Sequence, residues 1–164
     1  MSSKNRCENK KQQNMIEQIS LNEYPVNISL KNMLEQLREK GITNEEVLDA
    51  MDKVPRHWFL DDVFLEIAYQ NKAFPIGCEQ TISHPYTVAR QSELLNIKKG
   101  EKVLEIGTGC GYQTSILFFL GAKVYSIERQ KDLHIKTKKM LSDLRFRAHL
   151  KYGDGYKGLP AYGP

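Results

Sequence analysis

The stretch that decides the fold is Lys102-Val-Leu-Glu-Ile-Gly-Thr-Gly-Cys-Gly-Tyr-Gln113. A short apolar run carries one acid, Glu105, near its end, and three glycines then lead into a second apolar segment. This pattern is typical of a buried strand that turns tightly into a helix. Glycine permits positive φ and close approach of a ligand to the main chain, and the first N–H groups of the helix point into the same space. The stretch therefore predicts a ligand site at the turn.

The spacing of the glycines separates two ligand classes. Glycine stands at positions 107, 109 and 111, whereas the dinucleotide fingerprint G-x-G-x-x-G needs glycine at position 112, where Tyr112 stands. Together with Glu105 inside the strand end, this spacing favours a methyltransferase that binds S-adenosylmethionine over an NAD enzyme. On these residues alone, an ordinary glycine turn in an α/β sheet stays the alternative.

Strand and helix patterns alternate from Lys102 onward, and the strands are predicted over 102–106, 122–127 and 148–152. The order β-α-β-α-β implies right-handed crossovers and a parallel, doubly wound sheet, so the predicted fold class is α/β. In such sheets ligands lie at the carboxyl ends of the strands. Three acidic residues stand at those ends: Glu105, Glu128 and Asp154.

Two of these acids suit an adenosine ligand. Glu128 comes 21 positions after Gly107, and an acid at about this spacing accepts hydrogen bonds from both ribose hydroxyls. The alternative is a surface glutamate paired with one of the basic residues that follow it. Asp154 stands between two glycines and can accept from the adenine amino group, but an aspartate in such a place is also common in plain turns.

The N-terminal part predicts two helices. Apolar residues at helical spacing from Leu30 to Leu37 predict the first helix, which Gly41 can end. The stretch Thr43 to Glu46 predicts a capping box that opens the second helix, with Thr43 accepting from the Glu46 N–H.

The segment 56–83 is rich in aromatic residues and predicts short strands and turns packed on the main sheet. Pro85 suits the first turn of a further helix, with Ser83 or His84 near its N-cap.

A single domain is expected, in three parts. Residues 1–22 predict a disordered polar leader. Residues 23–100 predict a helical and substrate-side segment, and residues 101–164 the first part of the cofactor-binding sheet.

Composition narrows the functional classes. The 164 residues are 40% hydrophobic and 27% charged, as in ordinary globular proteins, and no apolar run has the roughly 18 residues of a membrane span. Most of the +4 charge lies in residues 1–14, so neither a nucleic-acid nor a membrane partner is expected. Three well-separated cysteines predict free thiols, no metal site and a cytoplasmic protein.

A second block, Phe74-Pro-Ile-Gly-Cys-Glu-Gln-Thr-Ile-Ser-His-Pro85, makes the assignment specific. With the glycine stretch, Val124-Tyr-Ser-Ile-Glu-Arg129 and Gly153-Asp-Gly-Tyr-Lys-Gly158, it resembles protein-L-isoaspartate O-methyltransferases from about residue 30 onward. The part Gln80-Thr-Ile-Ser83 is the specific one, because other methyltransferases share the glycines but lack it. The resemblance implies methylation of the α-carboxylate of L-isoaspartyl residues in damaged proteins, with S-adenosylmethionine as the cofactor.

The resemblance also implies residue roles. Ser83 takes the position of the family's active-site serine, although on the residues alone it is also a candidate helix N-cap. Cofactor-binding positions fall on Thr81, Ile82, Ser83, Glu105, Gly107, Thr108, Gly109, Glu128, Asp154 and Gly155. Two residues depart from the family pattern. Glu79 stands where many members have glycine, which can alter the mobility of the loop before Ser83, and His84 replaces a residue that is often glutamine or alanine.

The resemblance finally implies that a further strand follows Pro164 and lies beside strand 102–106. We therefore expect the sequence to be roughly the N-terminal three-quarters of an enzyme, with strand 102–106 left as an edge and with little methyl transfer of its own. A methyltransferase with another substrate and a non-catalytic adenosine-binding or interaction protein are the two alternatives.

Overall fold

A computed structural model of the chain describes residues 24–162, with side chains from Asn27. The expected leader over residues 1–22 lies outside this range. The helices are α1 Tyr24–Glu39, α2 Glu45–Lys53, α3 Pro85–Leu95, α4 Tyr112–Phe119 and α5 Lys131–Asp143. The strands are β1 Phe74–Gly77, β2 Gln80–Ile82, β3 Lys102–Ile106, β4 Lys123–Glu128 and β5 Ala148–Tyr152. None of the described helices has the length and apolar character needed to cross a membrane.

The first helix forms as its spacing predicts, because its apolar stripe is buried. Leu30, Met33, Leu34 and Leu37 are all in the core. After α1, Gly41 has φ +90°, and the N–H of Ile42 donates to the carbonyl of Leu37, which closes the helix end.

The cap of α2 lies one residue later than predicted. Asn44 is the N-cap, and its Oδ1 accepts from the N–H groups of Glu46 at 3.0 Å and Val47 at 3.2 Å. Thr43 instead donates both its N–H and its hydroxyl to the carboxylate of Glu93 in α3. The capping-box prediction was wrong because a long-range partner takes the threonine.

The aromatic segment is only partly made of strands. Its first half forms two short 3₁₀ helices, Arg56–Phe59 and Asp62–Ile67, and its second half forms the antiparallel β1–β2 hairpin. The segment packs against helices α4 and α5. Phe59 meets Tyr112 of α4 edge-on with ring centroids 5.4 Å apart, and it lines a cleft with Leu133 of α5.

The main sheet confirms the predicted β-α-β-α-β order. Its strands run β3-β4-β5, all parallel, with Val124 of β4 between Val103 of β3 and Ala148 of β5. The central strand β4 is buried, whereas β3 is an edge among the described residues, as expected. On β3, Leu104 is 47% exposed and Ile106 is 58% exposed.

Candidate active site

The hairpin and the glycine loop, residues 107–111, meet at the carboxyl end of β3. Between them lies a small pocket of about 70 Å³. The predicted site residues in its lining are Thr81, Ile82, Ser83, Gly107, Thr108 and Gly109. Two segments that are more than twenty residues apart in sequence therefore form one pocket.

Close packing fixes the shape of the glycine loop. Gly111 has φ +89°, and a Cβ there would lie 2.9 Å from the Thr137 methyl carbon of α5, so both backbone and space require glycine. The Thr137 hydroxyl donates to the carbonyl of Gly109 at 2.6 Å. Helix α5 thus packs against the loop and bonds to it through Thr137. The first turn of α4 follows the loop directly in sequence.

The hydroxyl of Ser83 is not used as a helix cap. Ser83 is exposed and makes no hydrogen bond through its side chain to the described residues. His84 is the N-cap of α3, also without a side-chain bond, and Asn71 Oδ1 accepts from the Tyr86 N–H at 3.0 Å in its place. The N-cap alternative for Ser83 was therefore wrong, and its hydroxyl is available beside the pocket.

Glu128 is buried rather than paired on the surface. Its Oε2 accepts the N–H of Gly109 and its Oε1 accepts the N–H of Gln130, both at 2.8 Å. The residue is only 4% exposed, and no ion pair joins it to a basic residue within 27–162. The alternative of a surface ion pair was wrong. Each carboxylate oxygen retains a second acceptor position.

Glu105 lies beneath the loop and not in the lining of the pocket. Its Oε2 accepts from the hydroxyls of Thr114 and Ser126, both at 2.5 Å, and Thr108 donates in turn to Ser126 at 2.6 Å. Its Oε1 is buried without a hydrogen-bond partner among the described residues. Burial raises the pKa of Glu105 to about 7, against the two hydroxyl donors, which lower it, while the charge of Glu128 raises it further.

Asp154, the third acid, also lies at the carboxyl end of the sheet, and none of the three acids is in the lining of the pocket. The N–H of Gly153 donates to the carbonyl of Glu128 at 3.0 Å, so the turn that carries Asp154 is next to the end of β4. The Asp154 carboxylate is exposed and accepts the backbone N–H two residues ahead at 3.0 Å. At Gly155 a Cβ would lie 2.3 Å from a side-chain carbon of Ile106, so only glycine fits against β3.

The departure at Glu79 has a structural consequence. Cys78 has φ +52° and Glu79 has φ +57°, so both central residues of the hairpin turn are left-handed. A two-residue turn with both φ values positive is the type I′ turn, which prefers Asn-Gly. At position 79 the turn requires the left-handed conformation, which glycine adopts most easily. Glu79 adopts this conformation at a cost in stability.

Several supporting residues were not predicted from the sequence. Thr114, Ser126 and Thr137 each hold a part of the site through a hydroxyl. Arg56 is 0% exposed and bonds to the carbonyl of Ser83. The available signals were a lone serine inside an apolar strand and a lone cation just after Pro55 in an apolar segment.

Comparison with known proteins shows which family the chain resembles. The model of the family described as protein-L-isoaspartate(D-aspartate) O-methyltransferase (PCMT) matches residues 28–164. A protein-L-isoaspartate O-methyltransferase of Christiangramia forsetii is 61% identical over 135 residues, which are 82% of this chain and 63% of that protein. One of Flavobacterium psychrophilum is 58% identical over 142 residues, which are 85% of this chain and 67% of that protein.

Solved structures show the same similarity. A protein-L-isoaspartate O-methyltransferase superposes with a TM-score of 0.74 at 26% identity, covering 82% of this chain and 45% of its own. A putative enzyme of this kind from Plasmodium falciparum, in complex with S-adenosyl-L-homocysteine, gives 0.60 at 25% identity, covering 75% of this chain and 61% of its own.

The chain thus spans about two thirds of the length of the two bacterial relatives. Within that span, the hairpin, the glycine loop and the acids at the strand ends all fall inside the matched region 28–164. The chain belongs to the protein-L-isoaspartate(D-aspartate) O-methyltransferase family.

Proposed function

We propose that this chain provides the S-adenosylmethionine site and the active-site serine of a protein-repair methyltransferase. Its substrates are the α-carboxylates of L-isoaspartyl residues in damaged proteins. The observation that carries the proposal is the pocket in which Thr81, Ile82 and Ser83 meet the glycine loop. A general nucleotide-binding turn would need only the loop.

The residues at the loop fit an adenosine cofactor with a charged amino-acid tail. Glu128 has acceptor positions beyond its two backbone bonds, which suits the two ribose hydroxyls. The buried Oε1 of Glu105, without a partner among residues 27–162, is a second acceptor at the loop. Asp154, beside the end of β4, suits the adenine amino group.

Methyl transfer to a carboxylate requires few catalytic side chains. When bound, S-adenosylmethionine supplies an activated methyl group. An α-carboxylate has a pKa of about 3.5 and is already ionised near neutral pH, so no general base is required. The protein must hold the carboxylate oxygen in line with the methyl carbon and exclude water. The exposed hydroxyl of Ser83 can donate one hydrogen bond that orients the carboxylate without protonating it.

Partners and location follow the same proposal. The substrates are isoaspartyl peptides and proteins, with neither a nucleic-acid nor a membrane partner. A cytoplasmic location is favoured by Cys78 and Cys110, which are free thiols in the fold.

Two measurements test the proposal. Residues 1–164 should bind S-adenosylhomocysteine in a calorimetric titration. For turnover, residues 1–164 should be compared with a fusion that appends the part of the C. forsetii relative lying beyond the match. The two peptides offered should differ only in an L-isoaspartyl or a normal L-aspartyl linkage.

We expect the fusion to methylate only the isoaspartyl peptide, and residues 1–164 alone to do so weakly. Equal methylation of both peptides would indicate another substrate class. Cofactor binding without any transfer by the fusion would indicate a non-catalytic adenosine-binding protein.

A further inference from the structure

Arg56 is the most deeply buried charged side chain among the described residues, with 0% exposure. Its guanidinium donates to three main-chain carbonyls. The Nε–H donates to Ala68 at 2.9 Å, and Nη2 donates to Lys72 at 3.1 Å and to Ser83 at 2.8 Å. No carboxylate of residues 27–162 pairs with it, so the buried charge is compensated by neutral groups, three of them these carbonyls.

These three carbonyls belong to different parts of the site. Ala68 follows the second 3₁₀ helix, Lys72 lies in the turn before β1, and Ser83 follows β2. Burial lowers the pKa of Arg56, because removal from water disfavours the charged form. An apolar side chain would fill the volume without that cost, but it could not bond to the carbonyl of Ser83.

The guanidinium also lies over the ring of Tyr112, a residue that lines the pocket. Its central carbon lies 5.1 Å from the ring centroid of Tyr112, the first residue of α4 after the glycine loop. Arg56 Nη1 and the Tyr112 hydroxyl are both buried without a hydrogen-bond partner in the described part of the chain. Arg56 therefore contacts both the segment that carries Ser83 and the first residue of α4.

We propose that Arg56 is a positioning residue that sets the place of Ser83 relative to the glycine loop. It acts by joining the Ser83 carbonyl to the ring of Tyr112. This inference rests on the proposed function, in which the carboxylate held at Ser83 must be in line with a methyl group held at the loop. A displacement of about 1 Å in such an arrangement lowers the rate about a hundredfold. Lysine cannot replace the arginine, because it lacks the planar fork that reaches several carbonyls.

The sequence allows a direct test at Ser83. Ser83-His84 is the one Ser-His pair and Ala148-His149 the one Ala-His pair in the chain. Labelling of serine or alanine carbonyls with ¹³C and of histidine with ¹⁵N, in residues 1–164 carrying Leu104→Lys to block pairing at the β3 edge, therefore gives a single NMR signal for each. The first signal reports the carbonyl that Arg56 holds, and the second, in β5, is the matched control.

In Arg56→Met, which keeps the volume, we expect the Ser83 signal to shift while the Ala148 signal stays. Arg56→Lys should also shift the Ser83 signal, and it serves if the Met variant does not fold. In Arg56→Ala, added ethylguanidinium should move the Ser83 signal back towards its original position, whereas ethylammonium should not. In the fusion, Arg56→Met should lower kcat ten- to a hundredfold and leave the KM for S-adenosylmethionine within twofold.

An unchanged Ser83 signal in the variants would overturn the proposal. Equal shifts of both signals would also overturn it, because they would indicate a general loss of structure. The NMR result requires no methyl transfer. A parent fusion without turnover would therefore count against the proposed function, while the NMR result would still decide whether Arg56 holds Ser83.

Discussion

The carboxylate of Glu128 accepts the backbone N–H of Gly109 at 2.8 Å. The acid that we propose to bind the cofactor ribose is therefore also a structural part of the glycine loop. Its other oxygen accepts the N–H of Gln130, which fixes the carboxylate at the end of β4. Loop and acid are thus held in a fixed relation by one buried side chain.

Glu128→Ala should weaken binding of S-adenosylhomocysteine more than a hundredfold. Two ribose bonds to a charged acceptor contribute about 1.5–3 kcal/mol each, and the loop also loses its anchor. Calorimetric titration measures the loss, with Glu39→Ala on the exposed end of α1 as the control. Unchanged affinity in a variant of a binding parent would contradict the ribose role.

Ser83→Ala should lower turnover of the fusion while cofactor affinity stays within twofold. Because the hydroxyl caps no helix, the free energy of unfolding should change by less than about 0.5 kcal/mol. Steady-state kinetics and urea denaturation check the two halves of this expectation. Normal turnover would remove Ser83 from the chemistry.

Glu105 predicts a pH-dependent stability. Its pKa is raised to about 7 from 4.5, so the folded protein binds this proton more tightly than the unfolded chain. The stabilisation is fully present below pH 4.5 and is lost as the pH rises through 7, a change of about 3 kcal/mol.

Glu105→Gln should remove this pH dependence, because the amide does not titrate. The amide oxygen still accepts from Thr114 and Ser126, so the hydrogen bonds beneath the loop are kept. Urea unfolding of both proteins at pH 5, 6.5 and 8 measures the difference. Parallel pH profiles for the two proteins would show that Glu105 is ionised throughout.

Glu79→Gly should stabilise the protein by roughly 0.5–1 kcal/mol. A left-handed conformation costs a residue with a Cβ about 1–2 kcal/mol, and the greater freedom of glycine in the unfolded chain offsets part of the gain. Thermal unfolding measures the effect. As a matched variant at the same turn, Gly77→Ala at φ +93° should destabilise. A lower melting temperature for Glu79→Gly would show that the carboxylate has a role in the turn.

The open edge of β3 should make residues 1–164 associate or aggregate. Unpaired backbone groups beside exposed apolar residues are a template for strand pairing. In sedimentation, the mass of the parent should increase with concentration. Leu104→Lys should reduce this increase, whereas Leu94→Lys, at a leucine on α3 that is 66% exposed, should not. A parent that stays monomeric at all concentrations would contradict this.

The sequence by itself determined the parallel sheet and the place of the candidate site. Alternating strand and helix patterns and glycines at fixed positions act through neighbouring residues, so Glu105, Glu128 and Asp154 could be placed at the strand ends. The same local rules failed where a distant partner was involved. Thr43 was predicted to cap α2, but its N–H and its hydroxyl donate instead to Glu93, fifty residues away.

Only the tertiary structure decided how the segments meet. It brought Ser83 to the loop, buried Glu128 against Gly109, and placed Arg56 between the hairpin and Tyr112. Each of these contacts joins residues that are far apart along the chain and have no common periodic pattern. Their geometry depends on how α5 and the 3₁₀ helix Arg56–Phe59 pack against the glycine loop and the start of α4. This packing is a property of the folded core as a whole.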